Sequence, residues 1–157
     1  MKVPAHGRQV QEGKWVMTVR AMDHFTIVTD RLADTIAFYA MLGLSDGPRP
    51  DFGIGGAWLY AGERPILHII EVEQMPEHRR GVIDHLAFTS QGLQAIATTL
   101  RERGIAYRII RTPRPFSRWQ MFLEDPNGAE VELDFDIAEA PPENWKLDRG
   151  SSASASR

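Results

Sequence analysis

The chain has 157 residues, 43 % hydrophobic and 25 % charged, with 18 Lys and Arg against 21 Asp and Glu and a net charge of -3. A chain of this length buries roughly 68–70 % of its unfolded surface and folds without staples, and its charge balance gives no reason to expect a nucleic-acid partner. It contains no cysteine, which excludes disulfides, thiolate catalysis, iron–sulfur ligation and Cys-type zinc sites.

No apolar run approaches the ~20 residues of a membrane span. Residues 1–15 lack the apolar core of a signal peptide. The expectation is a cytoplasmic protein with no membrane partner, in which any metal is held by the 5 His and the carboxylates. Residues 1–20 read as a polar arm, in which Val16 to Val19 can add a short strand. Residues 137–157, with Pro141-Pro142 and the ending SSASASR, read as a tail. Within the tail, Trp145 stands out as an aromatic that can dock on the body.

Between arm and tail, residues 21–136 alternate strand and helix signals. Met22 to Thr29 is predicted as a strand, with Phe25 and Ile27 on one face and His24, Thr26 and Val28 on the other. Asp30 is placed to cap a helix that carries Leu32, Ile36 and Tyr39 on one face and ends at Gly43. Strands are predicted over Ala57 to Ala61 and Pro65 to Val72. After a charged link, Val82 to Thr89 is a strand, and Ser90 is placed to cap a helix. Leu93, Ile96, Ala97 and Leu100 give that helix i, i+3, i+4, i+7 spacing, and Gly104 closes it. Strands follow at Ala106 to Arg111, Arg118 to Glu124 and Ala129 to Asp134. The last two flank Asp125-Pro126-Asn127-Gly128, a type I turn sequence.

The two halves repeat. Asp23-His24-Phe25 matches Asp84-His85-Leu86, and Gly43-Leu44 matches Gly104-Ile105, both at an offset of about 61 by numbering. Further on the offset is about 64, which pairs Tyr60 with Glu124 and His68 with Glu132. Each half is strand, helix, then three strands, and neither half alone has enough strands to close a core. The fold class is therefore α+β: two tandem βαβββ modules, residues 21–73 and 82–136, forming a curved mixed sheet cup with both helices on its outer face.

Strand alternation puts His24, His68, His85 and Glu132 on the concave face, where pseudo-twofold symmetry can bring them together. Three imidazoles and a carboxylate suit a first-row divalent ion: zinc, nickel, manganese, cobalt or iron. Four protein ligands on an octahedral ion leave two positions for water or substrate. Trp58, Tyr60 and Phe122 are expected to wall the cup, with Thr26, Thr89 and Gln120 as polar groups and Glu124 as a carboxylate at the rim. Six Arg lie between positions 101 and 118, and Arg118, which begins a cup strand, is the one best placed to meet an anionic small-molecule substrate.

The Asp23-to-Val28 strand, Ile36-Ala37-Phe38-Tyr39 before Leu42-Gly43-Leu44, Leu67-His68-Ile69, Asp84-to-Phe88 and Asp125-to-Leu133 together resemble the vicinal oxygen chelate superfamily. That group includes glyoxalase I, bleomycin resistance proteins and extradiol dioxygenases. The resemblance implies paired βαβββ modules and a metal held by first- and last-strand residues, here His24, His68, His85 and Glu132. It implies a proton-shuttling role for Glu132; Glu124, placed at the rim by alternation alone, is a second candidate general base. Glyoxalase I enzymes usually carry a carboxylate at the His68 position. Dioxygenases of the group use the subset matching His24, His85 and Glu132. Three expectations follow: a metal-dependent lyase or isomerase acting on a small carbonyl or hydroxy-acid compound, an Fe(II) ring-cleaving dioxygenase, or a binding protein without turnover. Small members form their cups between two chains, which implies a homodimer.

Overall fold

The computed structural model describes residues 21–115, 117–142 and 145. The arm, its expected strand at Val16 to Val19 and residues 146–157 lie outside the described residues.

Two βαβββ modules follow one another. The first contains β1 (Phe25–Thr29), α1 (Leu32–Met41), β2 (Ser45–Gly47), β3 (Gly56–Ala61) and β4 (Arg64–Glu71). The second contains β5 (His85–Thr89), α2 (Leu93–Glu102), β6 (Tyr107–Arg111), β7 (Arg118–Glu124) and β8 (Glu130–Asp136). The curved mixed sheet takes the form of two four-stranded sheets, ordered β1-β4-β3-β2 and β5-β8-β7-β6. In each, the first strand runs parallel to the last and the other neighbours are antiparallel.

Register confirms the repeat residue by residue. Thr26 pairs with His68 and Ala87 with Glu132. Trp58 pairs with His68 and Phe122 with Glu132. Gly47 pairs with Trp58 and Arg108 with Phe122. Alternation fixes the core: Leu67 and Ile69 of β4 and Val131, Leu133 and Phe135 of β8 are buried in one apolar cluster spanning both modules. Gly56 opens β3 at φ 147, with its Cα hydrogens against the Ile69 carbonyl; a Cβ there would lie 2.1 Å from that oxygen. Only glycine fits this approach.

Two cap expectations are corrected. The Leu32, Ile36 and Tyr39 face of α1 packs on the core as expected, with Thr35 and Phe38 more deeply buried than Leu32 and Ile36, but Asp30 makes no cap. Instead the Thr29 hydroxyl accepts the Arg31 N–H at 2.9 Å. Ser90 does not cap α2, whose N-cap is Gly92 in the left-handed region. The Glu139 carboxylate, reaching back from the chain after β8, accepts the N–H groups of Gly92 and Leu93 at 2.9 and 2.8 Å. A carboxylate there satisfies two orphan donors and meets the positive end of the helix dipole. The three strands expected after α1 are present, the first of them β2, whose position the chain-order reading does not locate because Ser-Asp-Gly carries no apolar alternation.

The Asp125-to-Gly128 turn closes as expected, with the Gly128 N–H on the Asp125 carbonyl at 3.1 Å. Its larger role is to join the modules. The Asp125 side chain accepts from the N–H groups of Asn127 and Ala129, each at 2.8 Å, and from the Tyr39 hydroxyl at 3.1 Å. Asn127 accepts from Thr29 at 2.7 Å and donates to Thr35 at 3.0 Å. The five side chains, of Thr29, Thr35, Tyr39, Asp125 and Asn127, are buried, so a turn of module two is plugged into β1 and α1 of module one through a saturated polar network. Trp145 docks as anticipated, its ring edge-on to Trp119 at 4.6 Å and its indole N–H on the Ile109 carbonyl at 3.3 Å.

Candidate functional site

The residues expected to gather as four donors gather as two pairs. His24 and His68 stack in module one, with ring centroids 3.8 Å apart and planes at 19°. Trp58 stacks on the other side of His68 at 4.1 Å and 7°, making a three-ring pile on one sheet face. Phe52, exposed on the preceding loop, leans on Trp58 at 6.0 Å. Thr26 lies beside His68 in register. The Tyr60 hydroxyl donates to the Pro48 carbonyl at 2.6 Å, turning that ring onto the β2 edge.

In module two, His85 Nε2 lies 3.0 Å from Glu132 Oε2. Glu132 is 5 % exposed. Its Oε1 accepts the Gln120 amide, which also donates to Asp134 Oδ1 at 3.1 Å. Phe122 sits edge-on to His85 at 6.2 Å and carries the Arg108 guanidinium on its face at 3.7 Å. Arg108 pairs with Glu130 at 3.0 Å. Glu124 is at the rim, bound to Arg80 at 2.6 Å. Arg118 is exposed at the start of β7, its N–H on the Thr112 hydroxyl at 2.8 Å. Of the arginines, Arg108 rather than Arg118 is the one packed against the site.

Electrostatics separates the two pairs. The Asp84 hydrogen bond to Nδ1, at 2.9 Å, raises the His85 pKa above the ordinary imidazole range, and Glu132 adds to the effect. Burial raises the Glu132 pKa above the usual carboxylate range, and Asp134 pushes the same way against the pull of His85. Burial lowers His68, and the neighbouring His24 adds to it. The dipeptide Asp-His recurs in module one, where His24 Nδ1 meets Asp23 at 2.8 Å. Each Asp leaves Nε2 as the nitrogen offered outward.

The donor set fits a divalent ion by its chemistry. The buried Nε2 of His68 has no hydrogen-bond partner among the described residues, and buried polar atoms are ordinarily satisfied. Among the described residues, no group of three or more His, Asp or Glu converges as an ion cage. The ring planes of His24 and His68 run nearly parallel, whereas imidazoles ligating one ion both aim their in-plane lone pairs at it. Sharing an ion therefore needs one ring to turn. Two cavities, of about 1050 and 700 Å³, are lined by His24, and the second also by His85. Neither is lined by His68 or Glu132. Sequence reasoning missed Asp134 and the positions of Arg80 and Arg108. The signal for Asp134 was its i+2 spacing from Glu132, which puts both on one face of a strand.

The profile of the Glyoxalase/Bleomycin resistance protein/Dioxygenase superfamily matches residues 21–133. The chain belongs to this superfamily. No curated protein shows significant similarity to it. Among solved structures, it is similar to a glyoxalase/dioxygenase from Nostoc punctiforme, with TM-score 0.63, 20% identity, 80% of this chain and 99% of that one covered. It is also similar to a glyoxylase/bleomycin resistance protein/dioxygenase domain from Frankia sp. EAN1pec, with TM-score 0.62, 16% identity, 78% and 96% covered. An integron cassette protein from Vibrio cholerae matches with TM-score 0.58, 17% identity, 77% and 98% covered. These likenesses show the shared superfamily fold. Among the described residues no helix is long and apolar enough to cross a membrane.

Proposed function

We propose that the chain is a divalent-metal-dependent enzyme of glyoxalase type, a lyase or isomerase acting on a small carbonyl or hydroxy-acid compound. His24, His68, His85 and Glu132 are the residues that would hold the ion. When bound, it supplies a Lewis acid for neighbouring oxygens of the substrate. The observation that carries the reading is the Glu132 carboxylate: buried, 3.0 Å from His85 Nε2, and raised in pKa by its burial. A carboxylate held in that state is suited to take a proton from carbon next to a carbonyl and return it. Trp58 and Phe122 wall the reacting face against water, with Thr26 and Gln120 as polar groups toward substrate and Arg108, seated on Phe122, as the cation beside them in place of Arg118. Glu124, tied to Arg80, serves the rim as the second carboxylate.

Two pairs of donors on two sheet faces call for a second copy of the chain, with the module-one pair of one protomer facing the module-two pair of the other. The exposed Phe52, Ile54, Val82 and Ile83 support a homodimer, since apolar side chains left at the surface mark association. Elemental analysis of protein purified without chelator is the test. Stoichiometric metal is expected, and it is expected to disappear in His24→Ala and Glu132→Ala. A wild-type protein that binds no divalent ion refutes the reading.

The Trp58–His68–His24 pile favours a second reading. If His68 stays stacked, then His24, His85 and Glu132 remain as a two-His, one-carboxylate set of the kind that serves Fe(II) oxygenases. This reading expects oxygen uptake with catechols under Fe(II), retained in His68→Ala. The first reading expects that substitution to weaken metal binding.

A further inference from the structure

We infer that Gln120 is a positioning residue for Glu132, holding Oε1 so that Oε2 alone is offered to a bound cation. The inference rests on the reading of Glu132 as a metal ligand. In register, Gln120 lies opposite Asp134 on β8, and Glu132 is its diagonal neighbour on the same face. The amide reaches both. Its Nε2 donates to Glu132 Oε1 and to Asp134 Oδ1, the latter at 3.1 Å. Both acceptors are carboxylate oxygens, so only the amide nitrogen can face them. Glu132 Oε2 points the other way, to His85 Nε2 at 3.0 Å. The result is a continuous line of side chains, Asp84–His85–Glu132–Gln120–Asp134, in which each end is an acidic group and each joint is a hydrogen bond. Glu132 cannot swing to present both oxygens to one cation without breaking the Gln120 bond. Module one has no counterpart: Gly56 and Ile70 occupy the positions equivalent to Gln120 and Asp134. Gln120 thus acts on the site through Glu132, in addition to any contact with substrate.

The test is Co²⁺ titration of the intact protein, followed by isothermal calorimetry and by the visible absorption of the ion, which reports its coordination. Gln120→Leu keeps the volume and removes the donor; Gln120→Met is a second, unbranched variant in case the first misfolds. Both are expected to bind Co²⁺ roughly 10–100-fold more weakly with an altered visible spectrum, while the metal-free protein stays folded with a Tm lowered by the loss of the amide donor. Wild-type affinity and spectrum in a folded variant overturn the inference while leaving the metal reading in place. A wild-type protein that binds no Co²⁺, Zn²⁺, Mn²⁺ or Ni²⁺ overturns both.

Discussion

Asn127→Ala should uncouple the two modules. In the native chain the Asn127 side chain accepts from the Thr29 hydroxyl at 2.7 Å and donates to Thr35 at 3.0 Å and to Asp125 at 3.2 Å. Alanine removes all three bonds at once. Thr29 keeps the Thr35 hydroxyl and the Arg31 N–H, and Asp125 keeps two backbone donors and Tyr39. The loss is therefore partial desolvation of three buried groups, each worth roughly 1 kcal/mol where other partners remain. The total is about 3 kcal/mol. For a domain of this size each kcal/mol moves Tm by about 2–4 °C, so a drop of roughly 6–12 °C is expected. Tyr39→Phe, which removes one bond at 3.1 Å, should cost about 1–1.5 kcal/mol and roughly 2–6 °C. Differential scanning calorimetry of both variants is the assay, because uncoupled modules also broaden or split the transition. A shift under ~2 °C for Asn127→Ala, with an unchanged single transition, would refute the idea that this turn locks the modules together.

Other outcomes are equally checkable. In histidine NMR titrations His85 should titrate above the ordinary imidazole range and His68 below it, and Asp84→Asn should bring His85 down, since that hydrogen bond is its largest cause. A raised folded-state pKa makes the His85 contribution to stability complete below the unfolded value of about 6.5 and lost as pH rises through the folded value. The raised pKa of Glu132 acts with the same sign: relative to the unfolded chain it favours folding below the ordinary carboxylate range, and that benefit disappears as pH climbs through its folded value. Glu132→Gln should therefore make the metal-free protein more resistant to urea at pH 8 than at pH 4, relative to wild type. Glu139→Ala should lower Tm by about 2–4 °C through loss of roughly 1 kcal/mol of capping at α2. Arg80→Ala should change stability by less than about 1 kcal/mol, because Arg80 and its 2.6 Å partner Glu124 are exposed and its second partner, Glu130 at 3.5 Å, keeps Arg108.

The repeat was legible because two copies of one pattern check each other. Offsets read from Asp23-His24 and Asp84-His85 predict the strand pairs found at Thr26–His68 and Ala87–Glu132. Alternation was enough to place His68, Glu132, Trp58 and Phe122 on faces. It was not enough for contacts that depend on how one module meets the other. Glu139 caps α2 from 46 residues away, so the local candidate Ser90 carries no sign of being replaced. Asn127 looked like a turn residue and is one, but its side chain works 98 residues away at Thr29. The convergence of four donors was inferred from symmetry alone, and symmetry fixes equivalence without fixing distance. Arg108 outranks Arg118 near the site because its register partner is Phe122, a fact set by the β6–β7 pairing.

Equivalent positions in the two modules have drifted toward opposite chemistry. Where module two has Glu132, Phe122 and Gln120, module one has His68, Trp58 and Gly56. One half presents charge and saturated acceptors, the other flat rings and a buried imidazole nitrogen with no partner among the described residues. A compound lying across such unlike halves meets two different surfaces and has one preferred way round. Reversing it would set its apolar end against a buried carboxylate and its polar end against indole. A repeated module supplies the frame, and the difference between its copies gives a nearly twofold surface a sense of left and right, which under the proposed function is what would tell one mirror-image product from the other.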